Sequence, residues 1–166
     1  MTTGGLPVQA ALAFEGVAAR CIRRLKGEGA TVLARPLGSA LATVLAPCVT
    51  PATWVVPVPT ARAAFRRRGY RVPELLIRRA GLLPQRVLSV VTRSVDQRGL
   101  GARARAMNVH HTMRARRRGD GAEAVIVDDV VTTGATFDEA FRALDVAGFR
   151  VIAAVALAAT PRRSGF

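Results

Sequence analysis

The chain has 166 residues, of which 50% are hydrophobic and 22% charged, a composition typical of one globular domain rather than of a disordered chain. Its 25 basic residues outnumber its 11 acidic residues, and the resulting net charge of +14 favours polyanionic ligands or nucleic acid as partners. The sequence shows no secretory signal, no apolar run of about 18 residues and no cysteine pair at metal-ligand spacing. We therefore expect a cytoplasmic protein with no membrane span and no zinc.

Hydrophobic spacing and turn residues in the first half of the chain predict alternating helices and strands. Apolar residues at helical intervals predict the first helix. Prolines that follow the second predicted helix end it. The predicted order is a helix over residues 7–26, a helix over 37–46, a strand over 53–56, a basic loop to Gly69, a helix over 72–80 and a strand over 86–91.

The second half of the chain begins with a polar segment, residues 92–108, which is long enough to form a flexible hood. The order predicted after it is a brief strand over 109–113, a charged turn over 114–121, a strand over 124–127 that leaves the sheet at Val130, a helix over 137–146, a strand over 150–157 and a frayed tail over 161–166. This alternation predicts a single α/β domain over residues 1–166, with a parallel sheet flanked by helices and ligands at the carboxyl ends of the strands.

Residues 124–136 carry the strongest functional pattern, because an apolar strand runs into two carboxylates and then into a hydroxyl-rich turn that opens a helix. Asp128 and Asp129 can accept hydrogen bonds from two vicinal sugar hydroxyls and help to hold a hydrated Mg²⁺ ion. The turn offers hydroxyls and backbone N–H groups to a phosphate, through Thr132, Thr133, Gly134, Ala135 and Thr136. The alternative is an ordinary helix start that Thr136 caps.

A nucleoside-triphosphate loop is not indicated, because no Gly-Lys-Ser/Thr follows the strand and the only lysine, Lys26, is far away in the sequence. The stretch instead resembles the phosphoribosyl-pyrophosphate loop of type I phosphoribosyltransferases, two acidic residues followed by Thr-Thr-Gly-x-Thr. This resemblance implies that Asp128 and Asp129 bind the ribose 2′- and 3′-hydroxyls and that the Thr-rich turn binds the 5′-phosphate. It also implies that Mg²⁺ accompanies the diphosphate donor.

A second candidate segment follows the strand predicted at 53–56, where two prolines fix the exit of the chain and arginines can chelate phosphates. It resembles the loop that binds pyrophosphate in phosphoribosyltransferases. The residues that this resemblance assigns to pyrophosphate are Pro57, Val58, Pro59, Arg62, Arg66 and Arg68. The alternative is an exposed basic turn.

With the strings IRRLKGEG at 22–29, VPVP at 56–59 and RRRGY at 66–70, these segments resemble the ComF family of competence proteins, which has GntX-type relatives. Polar residues at that family's spacing resemble a hood that closes over the donor, namely Arg93, Gln97, Arg105 and Asn108. Members commonly begin with a cysteine-rich zinc finger, which this sequence is expected to lack.

The ComF resemblance implies a protein that binds phosphoribosyl pyrophosphate and acts in DNA uptake during natural transformation, with single-stranded DNA and a competence helicase as partners. Two alternatives remain open. One is an active phosphoribosyltransferase that moves phosphoribose to a nitrogen acceptor in nucleotide metabolism or salvage. The other is a non-catalytic, arginine-rich domain that binds single-stranded DNA and keeps a vestigial sugar-phosphate loop. The residues identify no acceptor pocket and no catalytic residue, and they leave a homo-oligomer open.

Overall fold

The structure is a computed structural model that describes residues 5–91 and 112–161. Six strands and five α-helices form the described chain, and two short 3₁₀ helices, Thr31–Leu33 and Ala46–Cys48, flank the second α-helix. In chain order the elements are β1 (Val8–Ala13), α1 (Gly16–Gly27), α2 (Ala34–Leu45), β2 (Trp54–Pro57), α3 (Arg62–Arg68), α4 (Val72–Arg79), β3 (Leu88–Val90), β4 (Met113–Ala115), β5 (Glu123–Val131), α5 (Ala135–Asp145) and β6 (Arg150–Ala159).

The central sheet has four parallel strands in the order β1-β6-β5-β2. Strand β5 lies inside the sheet and its first half is apolar, as expected for a parallel strand that is covered on both faces. Strands β3 and β4 form a separate antiparallel pair outside this sheet. The predicted α/β class, a parallel sheet flanked by helices, is confirmed.

Side chains that alternate along the strands pack into two apolar layers, one on each face of the sheet. Val55, Val125 and Val127 pack against helices α1, α2 and α4 on the first face. Val56 and Ile126 pack on the second face against α5 and the β3–β4 pair. The sheet is therefore covered on both faces. A ligand is expected at the carboxyl ends of its strands.

The helix predicted over residues 7–26 was wrong in its first half. Val8–Ala13 is strand β1, which pairs with β6, and the helix begins only at Gly16. Gly16 has φ of +49°, a backbone conformation that glycine adopts at little cost and that separates the two elements. The apolar spacing of this segment fits either structure, and pairing with β6 decided in favour of the strand.

Three further predictions for individual segments were wrong. The basic loop contains helix α3, which suits an Ala- and Arg-rich segment and ends at Gly69 with φ of +80°. Strand β5 does not leave the sheet at Val130, because Val130 and Val131 still pair with Ala158 and Ala159 of β6. The charged turn predicted over 114–121 begins later, because its first two residues belong to β4.

The predicted hood residues Arg93, Gln97, Arg105 and Asn108 lie outside the described residues, as do most of the strand predicted over 109–113 and the tail from residue 162. The two flanks of the hood segment are described. The Val91 N–H donates to the Thr112 carbonyl at 2.7 Å, and this bond continues the β3–β4 pairing. The hood segment therefore leaves and re-enters the described domain at one place.

One described segment, Thr31–Cys48, is long and apolar enough to cross a membrane, with a mean hydropathy of 1.3. Taken alone this is weak evidence, because the core helix of a globular domain passes the same test. Within this segment, Leu37, Leu41 and Leu45 of α2 are buried in the first apolar layer, as in a core helix.

Candidate functional site

The acidic pair lies near the carboxyl end of β5. Side chains alternate along a strand, so Asp128 belongs to the face covered by α5 and Asp129 to the face covered by α1. The Asp129 N–H donates to Asp128 Oδ1 at 2.8 Å. Asp128 is half-buried and Asp129 is buried. Two adjacent carboxylates thus lie near the carboxyl end of β5, on opposite faces of the sheet, where the sequence predicts a sugar site.

Lys26 lies in this site, although it is far from the acidic pair along the sequence. Its Nζ is 2.9 Å from Asp129 Oδ1, although 103 residues separate the two in sequence. The Lys26 side chain is 40% exposed, whereas that of Asp129 is only 10% exposed. Lys26 stands at the end of α1, and the packing of that helix on the sheet brings it there.

The carboxyl group of Asp128 has an unusual proton affinity. Burial, and then the neighbouring charge of Asp129, raise its pKa to about 7. The Asp129 N–H and the Lys26 charge act in the opposite direction and do not cancel this effect. Asp128 therefore exchanges a proton near neutral pH, so ligands that need its anionic form compete with that proton.

The Thr-rich turn presents its polar groups to solvent. Thr132, Thr133 and Thr136 are exposed, and Gly134 precedes α5 with φ of +89°, in the left-handed region that favours glycine. No side chain caps α5, so the alternative in which Thr136 caps the helix was wrong. An uncapped helix start with neighbouring hydroxyls suits an anion.

The loop after β2 begins beside the acidic pair. Pro57 pairs with Val127 in the sheet, and the Val58 N–H donates to the Val127 carbonyl at 2.8 Å. The residue after Val127 is Asp128. The predicted pyrophosphate loop and the predicted ribose carboxylates are therefore neighbours at one sheet edge.

A cavity of about 490 Å³ opens next to this loop. Its lining includes Pro57, Pro59, Arg62 and Arg66 of the predicted loop, and also Thr60, Ala61, Arg71, Glu74, Arg86, Leu88, Ser89, Val90 and Arg116.

Glu74 is the one acidic residue among the described residues of this lining, and it is already paired. Arg86 donates to both of its oxygens, at 2.8 and 2.7 Å, and Arg71 Nε lies 3.6 Å from Oε1. The hydrogen bond and charge of Glu74 raise the pKa of Arg86, so that guanidinium stays charged. The remaining arginines leave the cavity with an excess of positive charge, which suits a phosphate or diphosphate.

Arg68 does not line this cavity within the described part of the chain. Its Nη1 donates to the Lys26 carbonyl at 3.0 Å, and its Nε is buried without a hydrogen-bond partner among the described residues. The Tyr70 hydroxyl donates to the Leu25 carbonyl. The structure therefore groups Arg68 with the end of α1 and separates it from Arg62 and Arg66.

Besides the Lys26–Asp129 pair, sequence reasoning missed an ion pair on α5. Glu139 of α5 is buried, and its carboxylate accepts hydrogen bonds from Arg142 and from the Met113 N–H at 2.8 Å. The spacing of Glu139 and Arg142 on a predicted helix could have indicated a pair. Their attachment to β4 could not be read from that spacing, because it depends on the packing of α5.

The described residues contain no group of three or more His, Cys, Asp or Glu side chains that could hold a metal ion. Any Mg²⁺ here would need further ligands from a bound molecule or from water.

Comparison with known proteins gave one family match and several structural likenesses. The chain resembles UMP synthase of Leishmania donovani with 19% identity over 83% of this chain and 24% of that chain, at a TM-score of 0.47. It resembles a hypoxanthine phosphoribosyltransferase of Staphylococcus aureus with 14% identity over 78% of this chain and 65% of that chain, at a TM-score of 0.48. It resembles an adenine phosphoribosyltransferase of Rhodothermus marinus with 19% identity over 75% of this chain and 65% of that chain, at a TM-score of 0.41.

The chain thus spans less than two thirds of the length of each of these structures. Curated protein sequences gave no match. The family match is to the phosphoribosyl transferase domain and covers residues 36–165, which include both the loop after β2 and the acidic pair with its Thr-rich turn. Because this match extends over well more than half of its length, the chain belongs to the phosphoribosyl transferase domain family.

Proposed function

We propose that the protein binds 5-phospho-α-D-ribose 1-diphosphate at the carboxyl ends of β2 and β5. The observation that carries this proposal is the hydrogen bond of 2.8 Å between the Val58 N–H and the Val127 carbonyl. It brings the start of residues 57–68, here called the arginine loop, beside Asp128. Asp128 in turn lies four residues before the Thr-rich turn. One sheet edge thereby offers hydroxyl acceptors, a phosphate turn and a basic cavity side by side.

Each part of the donor has a matching group. Asp128 and Asp129 accept hydrogen bonds from the ribose hydroxyls. The backbone N–H groups and hydroxyls around Gly134 bind the 5′-phosphate at the start of α5. Arg62 and Arg66 bind the diphosphate through the cavity that they line.

The residues present fit a Mg²⁺ ion that is bound mainly by the ligand. One Asp129 oxygen is already engaged by Lys26, and one Asp128 oxygen by the Asp129 N–H, so the protein offers few free carboxylate oxygens. Mg²⁺ commonly uses one or two carboxylates together with substrate phosphates and waters. The ion would neutralise diphosphate charge, and the second carboxylate oxygens of Asp128 and Asp129 are its candidate protein ligands.

Transfer of phosphoribose can proceed without a general base from the protein, because positioning and electrostatic stabilisation can dominate the reaction. Bond breaking at the anomeric carbon leaves positive charge on the sugar, and the neighbouring carboxylates of Asp128 and Asp129 would stabilise it. Arginines of the cavity would stabilise the departing diphosphate. Turnover then depends on an acceptor, and a binding role without turnover uses the same residues.

Calorimetric titration with the donor, with and without Mg²⁺, tests the binding proposal. We expect saturable binding that Mg²⁺ strengthens, and a loss of more than about tenfold in affinity for the folded Asp128→Asn/Asp129→Asn double variant. Asp145→Asn on the exposed end of α5 is the matched control and should bind as the wild type does. Equal affinity in the double variant would remove the ribose assignment. Pyrophosphate release on addition of nitrogen acceptors would distinguish a transferase from a binding protein.

We further propose a ComF-like role in DNA uptake, in the cytoplasm, with single-stranded DNA and a competence helicase as partners. The sequence motifs at 22–29 and 66–70 support the family assignment. Four exposed arginines around a second cavity of about 400 Å³ support a polyanionic partner, namely Arg114, Arg116, Arg117 and Arg118. Both cysteines, Cys21 and Cys48, are free thiols, as expected in a reducing compartment.

A further inference from the structure

We propose that Lys26 is a positioning residue of the donor site, which holds the Asp129 carboxylate where it can accept a ribose hydroxyl. This inference rests on the proposed function and adds to it a residue that neither the loop pattern nor the family match assigns. The signal for it is spatial, because Lys26 lies outside both predicted binding segments and also before the matched residues 36–165.

Charge gives the first reason for this assignment. Asp128 and Asp129 are consecutive, and Asp129 is buried, so two carboxylates at this place repel each other and lose hydration. Lys26 Nζ donates to Asp129 Oδ1 at 2.9 Å and offsets one of these charges. Without the ammonium group, the buried carboxylate would be left uncompensated, and its rotamer would no longer be fixed by an ion pair.

The attachment of Lys26 to the arginine loop gives the second reason. Arg68 Nη1 donates to the Lys26 carbonyl at 3.0 Å, and the Tyr70 hydroxyl donates to the Leu25 carbonyl. Both donors come from the end of α3 and the residues after it, directly beyond the arginines that line the diphosphate cavity. The end of α1 is thus fixed by the same segment that is proposed to bind diphosphate.

The type of side chain gives the third reason. All basic residues of the chain are arginine except Lys26. An ammonium group is a compact charge with three rotatable donors, whereas a guanidinium group is broad and planar. Lys26 uses one donor on Asp129 while 40% of its side chain stays exposed, so the ion pair remains accessible from solvent.

The test uses the full chain with four variants and three probes. The variants are Lys26→Met, Asp129→Asn, the double variant Lys26→Met/Asp129→Asn and the control Arg24→Met. Arg24 stands on the same helix and pairs with the exposed Glu28, so its removal changes the net charge equally and leaves the acidic pair alone. The probes are the diphosphate donor, ribose 5-phosphate and pyrophosphate, and thermal melting of each variant measures its stability.

We expect Lys26→Met to bind the donor and ribose 5-phosphate at least about tenfold more weakly, the cost of one lost charge-assisted interaction, and to bind pyrophosphate as the wild type does. Arg24→Met should bind all three probes normally. In the Asp129→Asn background, Lys26→Met should cause no further loss, because the two residues act as one unit. The double variant has no unpaired buried charge, so it is expected to fold even if Lys26→Met alone melts early. Its affinity can then be compared with that of Asp129→Asn.

The outcomes separate the two proposals. If the wild type binds the donor, and Lys26→Met binds both the donor and ribose 5-phosphate with the affinity of the wild type, Lys26 has no positioning role and the proposed function stands. Equal losses for pyrophosphate and for ribose 5-phosphate would also overturn the inference, because they indicate a general charge effect. Failure of the wild type to bind the donor would overturn the proposed function and, with it, this role of Lys26.

Discussion

Arg142 donates to both carboxylate oxygens of Glu139, from Nε to Oε2 at 2.8 Å and from Nη2 to Oε1 at 2.9 Å. The pair also holds both backbone groups of Met113, because Glu139 accepts its N–H and Arg142 donates to its carbonyl at 2.9 Å. Met113 begins β4, five residues after the end of the hood segment predicted over residues 92–108. The helix whose start is proposed to bind the 5′-phosphate therefore also fixes the first described strand after the predicted hood segment.

Glu139→Ala is expected to lower the free energy of unfolding by about 2–4 kcal/mol, because it leaves the Arg142 charge and the Met113 N–H without their partner. Urea unfolding at neutral pH measures this change. Asp145→Asn, an exposed carboxylate on the same helix, should stay within about 0.5 kcal/mol of the wild type. A similarly small effect for Glu139→Ala would show that the pair does not hold β4.

Asp128 is expected to make the folded state less stable as pH rises. Its pKa is about 7 in the folded protein, whereas an unfolded chain has a value of about 4, so the folded state retains this proton over a range in which the unfolded state has lost it. The free energy of unfolding contributed by this group therefore falls between about pH 4 and pH 7 and is constant above. Asp128→Asn should thus gain stability relative to the wild type by about 1 kcal/mol or more between pH 5 and pH 8. A difference that does not vary with pH would contradict the raised pKa.

Donor affinity should rise with pH for the same reason. The anionic form of Asp128 accepts ribose hydroxyls and offers an oxygen to Mg²⁺, whereas the protonated form does neither well. Calorimetry between about pH 6 and pH 8 should show affinity that increases and then levels above the pKa of about 7. The phosphates of the ligand also titrate in this range, so the same series is measured on Asp128→Asn as a reference. The part of the pH dependence that is present in the wild type and absent from Asp128→Asn is due to Asp128.

Arg66→Ala is expected to weaken binding of the diphosphate donor by at least about tenfold and to leave ribose 5-phosphate almost unaffected, because Arg66 lines the diphosphate cavity. Arg67→Ala is the matched control, since Arg67 is exposed on the same helix and is not part of that lining. Parallel titrations with both ligands make the comparison. If Arg66→Ala weakens both ligands equally, its charge acts at long range.

Single-stranded DNA should bind through its phosphates with little base preference, because the chain carries a charge of +14 and only 5% aromatic residues. Fluorescence anisotropy with mixed-sequence strands across a salt series should show a steep loss of affinity. Neutralising Arg116, Arg117 and Arg118 should reduce the salt slope by about 2, the contribution of three phosphate contacts.

The Asp128→Asn/Asp129→Asn variant should keep its DNA affinity, because the acidic pair offers DNA phosphates no positive charge and does not belong to the lining that Arg116, Arg117 and Arg118 share. Absence of binding near physiological salt in the wild type would remove the DNA role and leave the sugar-phosphate site as the proposed function.

Several features could be predicted from local sequence because each is decided within a few consecutive residues. The apolar run before Asp128 predicts a buried parallel strand, and the polar turn that contains Gly134 predicts a helix start open to an anion. The prolines after residue 56 place a loop at the end of another strand. Together these patterns determined the fold class and the sugar-phosphate hypothesis, since parallel strands bring their carboxyl ends to one edge.

Other features were decided only by the tertiary structure. Residues 8–13 became a strand because β6 offers them a partner, and no spacing within the segment distinguishes that from a helix. Lys26 meets Asp129, Arg68 reaches the end of α1, and Glu139 holds Met113 across 103, 42 and 26 residues respectively. Such contacts depend on how helices pack on the sheet, and side-chain burial between distant elements leaves no periodic trace in the sequence. The sequence therefore predicted the groups that are proposed to touch a ligand, and the packing of the helices determined which residues contact those groups from elsewhere in the chain.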